Sequence, residues 1–191
     1  MKIACLGWGS LIWKPAELPV ASDWFADGPW LPIEFAREGD SGELATVICE
    51  GVVEVQVLWA YLALDTLDAA REALREREGV SREQPECIGS WPDGPRSPFA
   101  ARIAAWAQAQ DLDAVVWTAL PPRSGGLNQR MPSVEEALHY LRTLDADRQD
   151  HARDYIRCTP VAIETAYRRV FAETFNWLPQ AATCRPLDES A

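Results

Sequence analysis

Basic residues are scarce in this sequence relative to acidic ones. It has 18 Lys and Arg against 29 Asp and Glu, which gives a formal net charge of -11 at pH 7. Proteins that bind nucleic acid rely on clustered Lys and Arg for their phosphate contacts. The sequence contains no such cluster, so we expect no nucleic-acid partner.

Metal-ligating residues are few and badly spaced. The chain has 2 His and 5 Cys, and no two of the Cys residues form a Cys-x-x-Cys pair. Zinc and related metals need several such ligands close together. The sequence therefore predicts no metal site, and the cysteines are expected to be reduced thiols, several of them in the core.

Long apolar runs are also missing. No run approaches the roughly 20 residues that cross a bilayer, and Gly7 interrupts the opening apolar segment before it could act as a signal-peptide core. We expect a soluble, cytoplasmic protein with no membrane partner. Its 191 residues, 48% of them hydrophobic, predict one domain over residues 1–180 and a flexible tail over 181–191. The sequence leaves the oligomeric state open.

Strand-like segments come before most helical ones, without strict alternation. Segments rich in β-branched and aromatic residues predict strands over residues 2–6, 44–48, 55–63 and 114–119. Helix-forming composition and capping residues predict helices over 66–78, from 97 onwards, and over 133–144, 148–156 and 161–175. Asp65 is expected to cap the first helix and Ser97 the second, and Ser133 with Glu136 forms a capping box. This order favours an α+β fold over a doubly wound sheet.

A glycine-rich turn, Gly7-Trp8-Gly9-Ser10, follows the first predicted strand. A dinucleotide-binding fingerprint needs a third glycine where this chain has Ile12, so that interpretation fails. Two interpretations remain. Either the flexible backbone presents N–H groups to an anionic or carbonyl oxygen in a cavity, or the segment is a plain tight turn with Trp8 and Trp13 packed in the core.

The segment from Gly7 to Pro15, Gly-Trp-Gly-Ser-Leu-Ile-Trp-Lys-Pro, resembles the Gly-Tyr-Gly-Ser-Leu-Ile-Trp-Lys/Arg-Pro opening of the γ-glutamylcyclotransferase family, especially its ChaC-like, glutathione-degrading branch. Weaker likenesses follow in the family's order at 35–37 with 44–48, 58–61, 77–79, 114–119, 133–137 and 154–156. The resemblance implies a small mixed β-sheet or barrel surrounded by helices. Trp8 replaces the family's Tyr, and Val80 follows Gly79 where the family has Gly-Gly-Tyr, so the pocket and its substrate are open to change.

Glu78 can be placed by helix geometry without the resemblance. At about 100° per residue, Leu67 and Leu74 lie on one face, and Glu78 returns to within about 20° of Leu67, whereas Glu76 points the opposite way. Burial and the negative end of the helix dipole both favour the neutral acid there, which suits a group that takes up and returns a proton. The competing interpretation is a frayed last turn with Glu78 in solvent beside Arg75 or Arg82.

The resemblance implies a reaction. Glu78 would take a proton from the α-amine of a γ-glutamyl group, whose nitrogen attacks the γ-carbonyl to release an amine and form 5-oxoproline, with no metal or cofactor. The residues that the resemblance implies for substrate binding are Gly7, Trp8, Gly9, Ser10, Leu11, Arg37 and Tyr155. Arg37 would neutralise a substrate carboxylate, and Tyr155 would line the pocket.

Three alternatives are kept. A protein with the same fold could bind small molecules without catalysis. The 9 Trp could bind carbohydrate if exposed, although Trp59, Trp106 and Trp117 lie in apolar patterns that predict the core. Cys5, before the glycine turn, or Cys158, before a predicted helix, could be a nucleophile if its thiolate were stabilised.

Overall fold

Strands and helices alternate irregularly along the described part of the chain, residues 1–95 and 97–180 of this computed structural model. The strands are β1 Ile3–Gly7, β2 Trp30–Leu31, β3 Ile33–Glu38, β4 Leu44–Ile48, β5 Val55–Gln56, β6 Leu58–Tyr61, β7 Ile88–Trp91, β8 Ala114–Thr118, β9 Arg123–Ser124 and β10 Leu127–Asn128. The helices are α1 Leu67–Arg77, α2 Ala100–Ala109, α3 Val134–Thr143, α4 Ala146–Cys158 and α5 Ala166–Phe175, with a 3-10 turn at Pro85–Cys87. The α+β class is confirmed, and the predicted tail 181–191 lies outside the described residues.

The first sheet has the strand order β6-β1-β8-β7. β1 runs parallel to β8 and antiparallel to β6, and β7 is antiparallel to β8. All five residues of β1 are buried, as expected for a central strand covered on both faces. The glycine turn, which follows β1, therefore lies at the end of an inner strand of this sheet.

The second sheet has the order β10-β9-β3-β4. Strands β2 and β5 form a separate two-stranded sheet. β2 runs into β3 across Pro32, which has no N–H to continue a ladder, and β5 runs into β6 across Val57. The predicted single strand over 55–63 is thus two strands. Of the expected mixed sheet or barrel, the mixed sheet is present, because the first sheet contains both parallel and antiparallel pairs. The described strands form separate sheets and no closed barrel.

The N-cap of α1 lies one residue later in the chain than predicted. Its N-cap is Thr66, whose hydroxyl accepts from the Ala69 N–H at 3.2 Å, so the prediction of Asp65 was wrong. The helix ends at Arg77 with Glu78 as its C-cap. Gly79 follows, and its φ of +64° is the left-handed conformation that glycine adopts without strain. That end points towards the glycine turn after β1.

Two further helix starts differ from the sequence prediction. α2 begins after Phe99, and the Ser97 hydroxyl accepts from the Phe99 N–H at 3.2 Å in a turn outside the helix. α5 begins five residues after the predicted Val161, because Thr165 is the N-cap and its hydroxyl accepts from the Arg168 N–H at 3.2 Å. The capping box that was predicted at the start of α3 is present.

The core has a layer on each face of the first sheet and a third layer on the second sheet. Ile103 of α2 packs in one cluster with β1 and β8, and Leu74 of α1 packs in the cluster on the other face. Phe35 of β3 packs with Ile156 of α4 and Phe171 of α5. Among the described helices, none combines the length and apolarity needed to cross a membrane.

Candidate active site

A cavity of about 400 Å³ lies between the glycine turn, the end of α1, strands β3 and β4, and α4. The residues that line the cavity come from positions between Leu6 and Tyr155 of the chain. The structure brings together on this one cavity all eight residues predicted for the site: Gly7, Trp8, Gly9, Ser10, Leu11, Arg37, Glu78 and Tyr155.

The glycine turn is tied to strand β4 by hydrogen bonds. The Trp8 indole N–H donates to the Thr46 carbonyl at 3.2 Å, and the Thr46 hydroxyl donates to the Trp8 carbonyl at 3.2 Å. Trp8 is only 5% exposed. The two interpretations of this turn are therefore compatible, because Trp8 packs in the core while the same turn forms a cavity wall.

Gly9 is required by close packing and not by an unusual backbone conformation. A Cβ at this position would lie 2.5 Å from the Tyr155 hydroxyl and 2.6 Å from the Thr46 Oγ1. Both distances are shorter than any normal carbon–oxygen contact. The Gly9 backbone therefore lies directly against the Tyr155 and Thr46 side chains, with no room for a side chain at position 9.

The amide groups of this turn are partly free. The Ile12 N–H donates to the Gly9 carbonyl at 3.1 Å, and the Lys14 N–H donates to the Ser10 carbonyl at 2.8 Å. The Gly9 and Leu11 N–H groups have no protein acceptor among the described residues. Such donors, fixed beside a cavity, can bind an anion or a carbonyl oxygen.

Glu78 is the C-cap residue of α1, and its side chain is 13% exposed. It points inward, as the helix geometry predicts, and not into solvent beside Arg75 or Arg82. Its Oε1 accepts from the Arg77 guanidinium at 2.6 Å. Oε2 has no hydrogen-bond partner among the described residues, so one carboxylate oxygen is held and the other is available to a ligand.

Arg77 is a residue of the cavity wall whose role the sequence argument missed. Its Nη2 donates to the Ser10 hydroxyl at 3.1 Å and to the Lys14 carbonyl at 2.7 Å. A signal was available, because Arg77 falls about 80° from Leu67 on the helical wheel, at the edge of the apolar face. The sequence does not reveal its partner Ser10, which lies 67 positions away in the chain.

Tyr155 closes the cavity from α4. Its hydroxyl lies 3.2 Å from the Thr46 Oγ1 and accepts from the Thr46 N–H at 3.3 Å, and its ring meets Trp13 edge-on. Burial raises the pKa of Tyr155, and the nearby Glu78 carboxylate raises it further, whereas the hydrogen bonds to Thr46 lower it. The phenol therefore stays neutral at physiological pH.

The opposite wall carries two guanidinium groups. Arg37 and Arg123 are paired positions of the neighbouring strands β3 and β9. Arg37 donates to the Pro121 carbonyl at 2.8 Å, and Arg123 forms an ion pair with Asp40 at 3.2 Å. Burial lowers the pKa of Arg37, and the positive charge of Arg123 lowers it further. Sequence reasoning found Arg37 and missed Arg123, because cross-strand pairing is not visible in the chain.

Two of the alternative sites lose support. Cys5 is buried behind the turn, and burial raises the pKa of its thiol, so a reactive thiolate is disfavoured. Cys158 ends α4 and does not precede a helix, so the predicted stabilisation by a helix N-terminus was wrong. Trp59 and Trp117 are buried, as predicted, and Trp30 is the exposed member of the 9 Trp.

Comparison of the chain with models of protein families, with curated proteins and with solved structures finds no significant match. The likeness to γ-glutamylcyclotransferases therefore rests on the sequence motifs described above. The described residues contain no group of three or more His, Cys, Asp or Glu that could hold a metal ion.

Proposed function

We propose that this protein is a γ-glutamylcyclotransferase-like enzyme, which cyclises a γ-glutamyl compound to 5-oxoproline and releases an amine. The observation that supports the proposal most directly is that Glu78 and the turn from Gly7 to Leu11 face one cavity. Helix geometry predicts that Glu78 points inward, and the motif resemblance predicts that the turn holds the substrate. These two independent arguments lead to the same cavity.

The size and polarity of the cavity fit a small, charged substrate. Its volume of about 400 Å³ lies within the range of about 300–1,000 Å³ that is typical of small-molecule sites. Glu78 and the acidic residues Glu38, Asp40 and Glu43 also line it, together with the guanidinium groups of the two opposite walls. A γ-glutamyl head carries an ammonium and a carboxylate group, so both charge types have partners in this cavity.

Cyclisation in this cavity needs one proton carrier and one set of fixed donors. The free Oε2 of Glu78 takes a proton from the substrate's α-amine, and the amine nitrogen attacks the γ-carbonyl carbon to close a five-membered ring. The N–H groups of Gly9 and Leu11 stabilise the negative oxygen of the tetrahedral intermediate. The carbon–nitrogen bond to the leaving amine then breaks as Glu78 returns its proton to that nitrogen. Both reacting groups belong to one molecule, so the site mainly has to hold a folded conformer.

A non-catalytic small-molecule binder on the same fold is the second candidate. The observation in its favour is the ion pair between Arg77 and Glu78, with an N–O distance of 2.6 Å, because a base that is already paired is less free to accept a proton. Trp8 and Val80, which depart from the family's pattern, both line the cavity and would change which ligand fits. We further propose that the protein has no nucleic-acid partner, on the basis of the net charge of -11. We also propose the cytoplasmic location that the sequence predicts.

The deciding experiment is to incubate the purified protein with glutathione and a panel of γ-glutamyl amino acids and amines, and to measure 5-oxoproline. We expect Glu78→Gln to lower the rate at least about 100-fold, the usual contribution of a general base. Glu76→Gln is the matched control, because Glu76 lies two residues earlier with a side chain that is 64% exposed, and it should keep full activity. Binding of a panel compound by wild type and Glu78→Gln alike, with product from neither, would favour the non-catalytic candidate.

A further inference from the structure

The Arg77 side chain has an unusual set of partners for a helix arginine. It is only 10% exposed, and its guanidinium group bonds the Glu78 carboxylate, the Ser10 hydroxyl and the Lys14 carbonyl. Two of these partners, Glu78 and Ser10, line the candidate active site. Arg77 thus connects the end of α1 to the segment that follows the glycine turn.

Arg75 in the same helical turn provides a comparison. It is 18% exposed, pairs with Glu72 of its own helix at 2.8 Å and donates to the Val80 carbonyl at 2.6 Å. These contacts stabilise the end of α1 and do not involve the glycine turn. The two arginines therefore have similar burial and similar numbers of acceptors, and they differ in their partners: Arg77 bonds Glu78 and Ser10, whereas Arg75 bonds neither.

We propose that Arg77 is a positioning residue that joins the proton carrier Glu78 and the hydroxyl donor Ser10 into one rigid, charged unit. The proposal rests on the proposed cyclotransferase function for its catalytic consequence. Its structural part, the link between Glu78 and Ser10 through one guanidinium group, stands on the contacts alone.

The link decides which atoms of Glu78 and Ser10 face the substrate. Glu78 is a C-cap residue, and the ends of helices fray readily. The bond from Arg77 to Oε1 holds the side chain in one orientation and leaves Oε2 for the substrate amine. At Ser10 the guanidinium N–H occupies a lone pair of the oxygen, so the hydroxyl hydrogen is left to donate to a substrate oxygen.

The charge of Arg77 adds to this geometric effect. A guanidinium group bonded to the Ser10 oxygen polarises the hydroxyl and makes it a stronger donor towards an oxygen that becomes negative. Among the described residues, Arg77 is the one group that forms an ion pair with Glu78. Other charged or titratable groups lie around the same cavity. They are the Tyr155 hydroxyl on α4, the Cys5 thiol on β1, and the cavity residues Arg37, Glu38, Asp40, Glu43 and Arg123.

The first test compares Arg77→Gln and Arg77→Lys with Arg75→Gln as the matched control. We expect Arg77→Gln to lower kcat about 100-fold with little change in KM, since a misplaced catalytic group costs a factor of that size. Arg77→Lys should recover part of the rate, and Arg75→Gln should stay within about threefold of wild type. An Arg77→Gln rate no lower than that of Arg75→Gln would overturn the proposal.

The second test needs no activity and separates this inference from the proposed function. The side-chain carboxyl carbon of Glu78 is observed by NMR at one fixed pH, with its signal assigned by its loss in Glu78→Gln. We expect its chemical shift to change in Arg77→Gln, because the hydrogen bond from the guanidinium group to Oε1 is lost, and to stay unchanged in Arg75→Gln. An inactive wild type with that change would remove the proposed reaction and keep the link, whereas an unchanged signal in Arg77→Gln would remove the link whatever the activity.

Discussion

Replacement of Gly9 by alanine tests how tightly the glycine turn, β4 and α4 are packed around the cavity. The new methyl group would lie 2.5 Å from the Tyr155 hydroxyl and 2.6 Å from the Thr46 Oγ1. To reach normal contact, each oxygen has to withdraw by about 0.8–0.9 Å. Both oxygens bond each other and the neighbouring backbone, so they cannot withdraw without breaking those bonds.

The size of the effect follows from these contacts. Forcing one extra methyl group into a packed site costs about 1–3 kcal/mol, and we expect Gly9→Ala to lie near the upper end. Tyr155→Phe alone removes the hydroxyl and its bonds to Thr46, at about 1–2 kcal/mol. In the double variant one of the two clashes is gone. The double variant should therefore lose about 1 kcal/mol less than the sum of the single variants.

The assay is urea unfolding followed by tryptophan fluorescence for wild type, both single variants and the double variant. Gly79→Ala is the control, because its φ of +64° strains an alanine while no atom lies within 4 Å of the added Cβ. It should lower the free energy of unfolding by about 1 kcal/mol and add independently to Tyr155→Phe. If Gly9→Ala and Tyr155→Phe also add within about 0.5 kcal/mol, the proposed steric contact is refuted.

Two further predictions concern buried charges on the second sheet and its helices. The buried Arg168 guanidinium donates to four backbone carbonyls around the end of α4, so Arg168→Leu should lower the free energy of unfolding by about 3 kcal/mol or more; a loss below about 1 kcal/mol in urea unfolding would contradict this. Burial raises the pKa of Glu34 above its ordinary 4.5, so the stability gained from its protonation is complete below that pH and is lost as pH rises through the raised value. Glu34→Gln should remove this decline, as measured by the free energy of unfolding from pH 4 to pH 8. If the curves of the variant and wild type run parallel over that range, the prediction is wrong.

Local sequence patterns predicted much of the fold because they depend on neighbours within a few residues. The capping box of Ser133 and Glu136 and the left-handed Gly79 follow from hydrogen bonds and backbone preferences inside one turn. The inward direction of Glu78 follows from helix periodicity alone. Errors occurred where two local signals competed, as at Asp65 and Thr66, since either side chain can cap a helix.

The α+β class and the inward Glu78 could be read from the sequence itself, because periodicity and capping are encoded in adjacent residues. Only the tertiary structure joined Trp8 to Thr46 and Thr46 to Tyr155, across 38 and 109 positions of the chain. The same holds for the bond from Arg77 to Ser10 and for the pairing of Arg37 with Arg123. These contacts depend on how sheets and helices pack, and packing is settled by the whole chain, so no short segment could have revealed them.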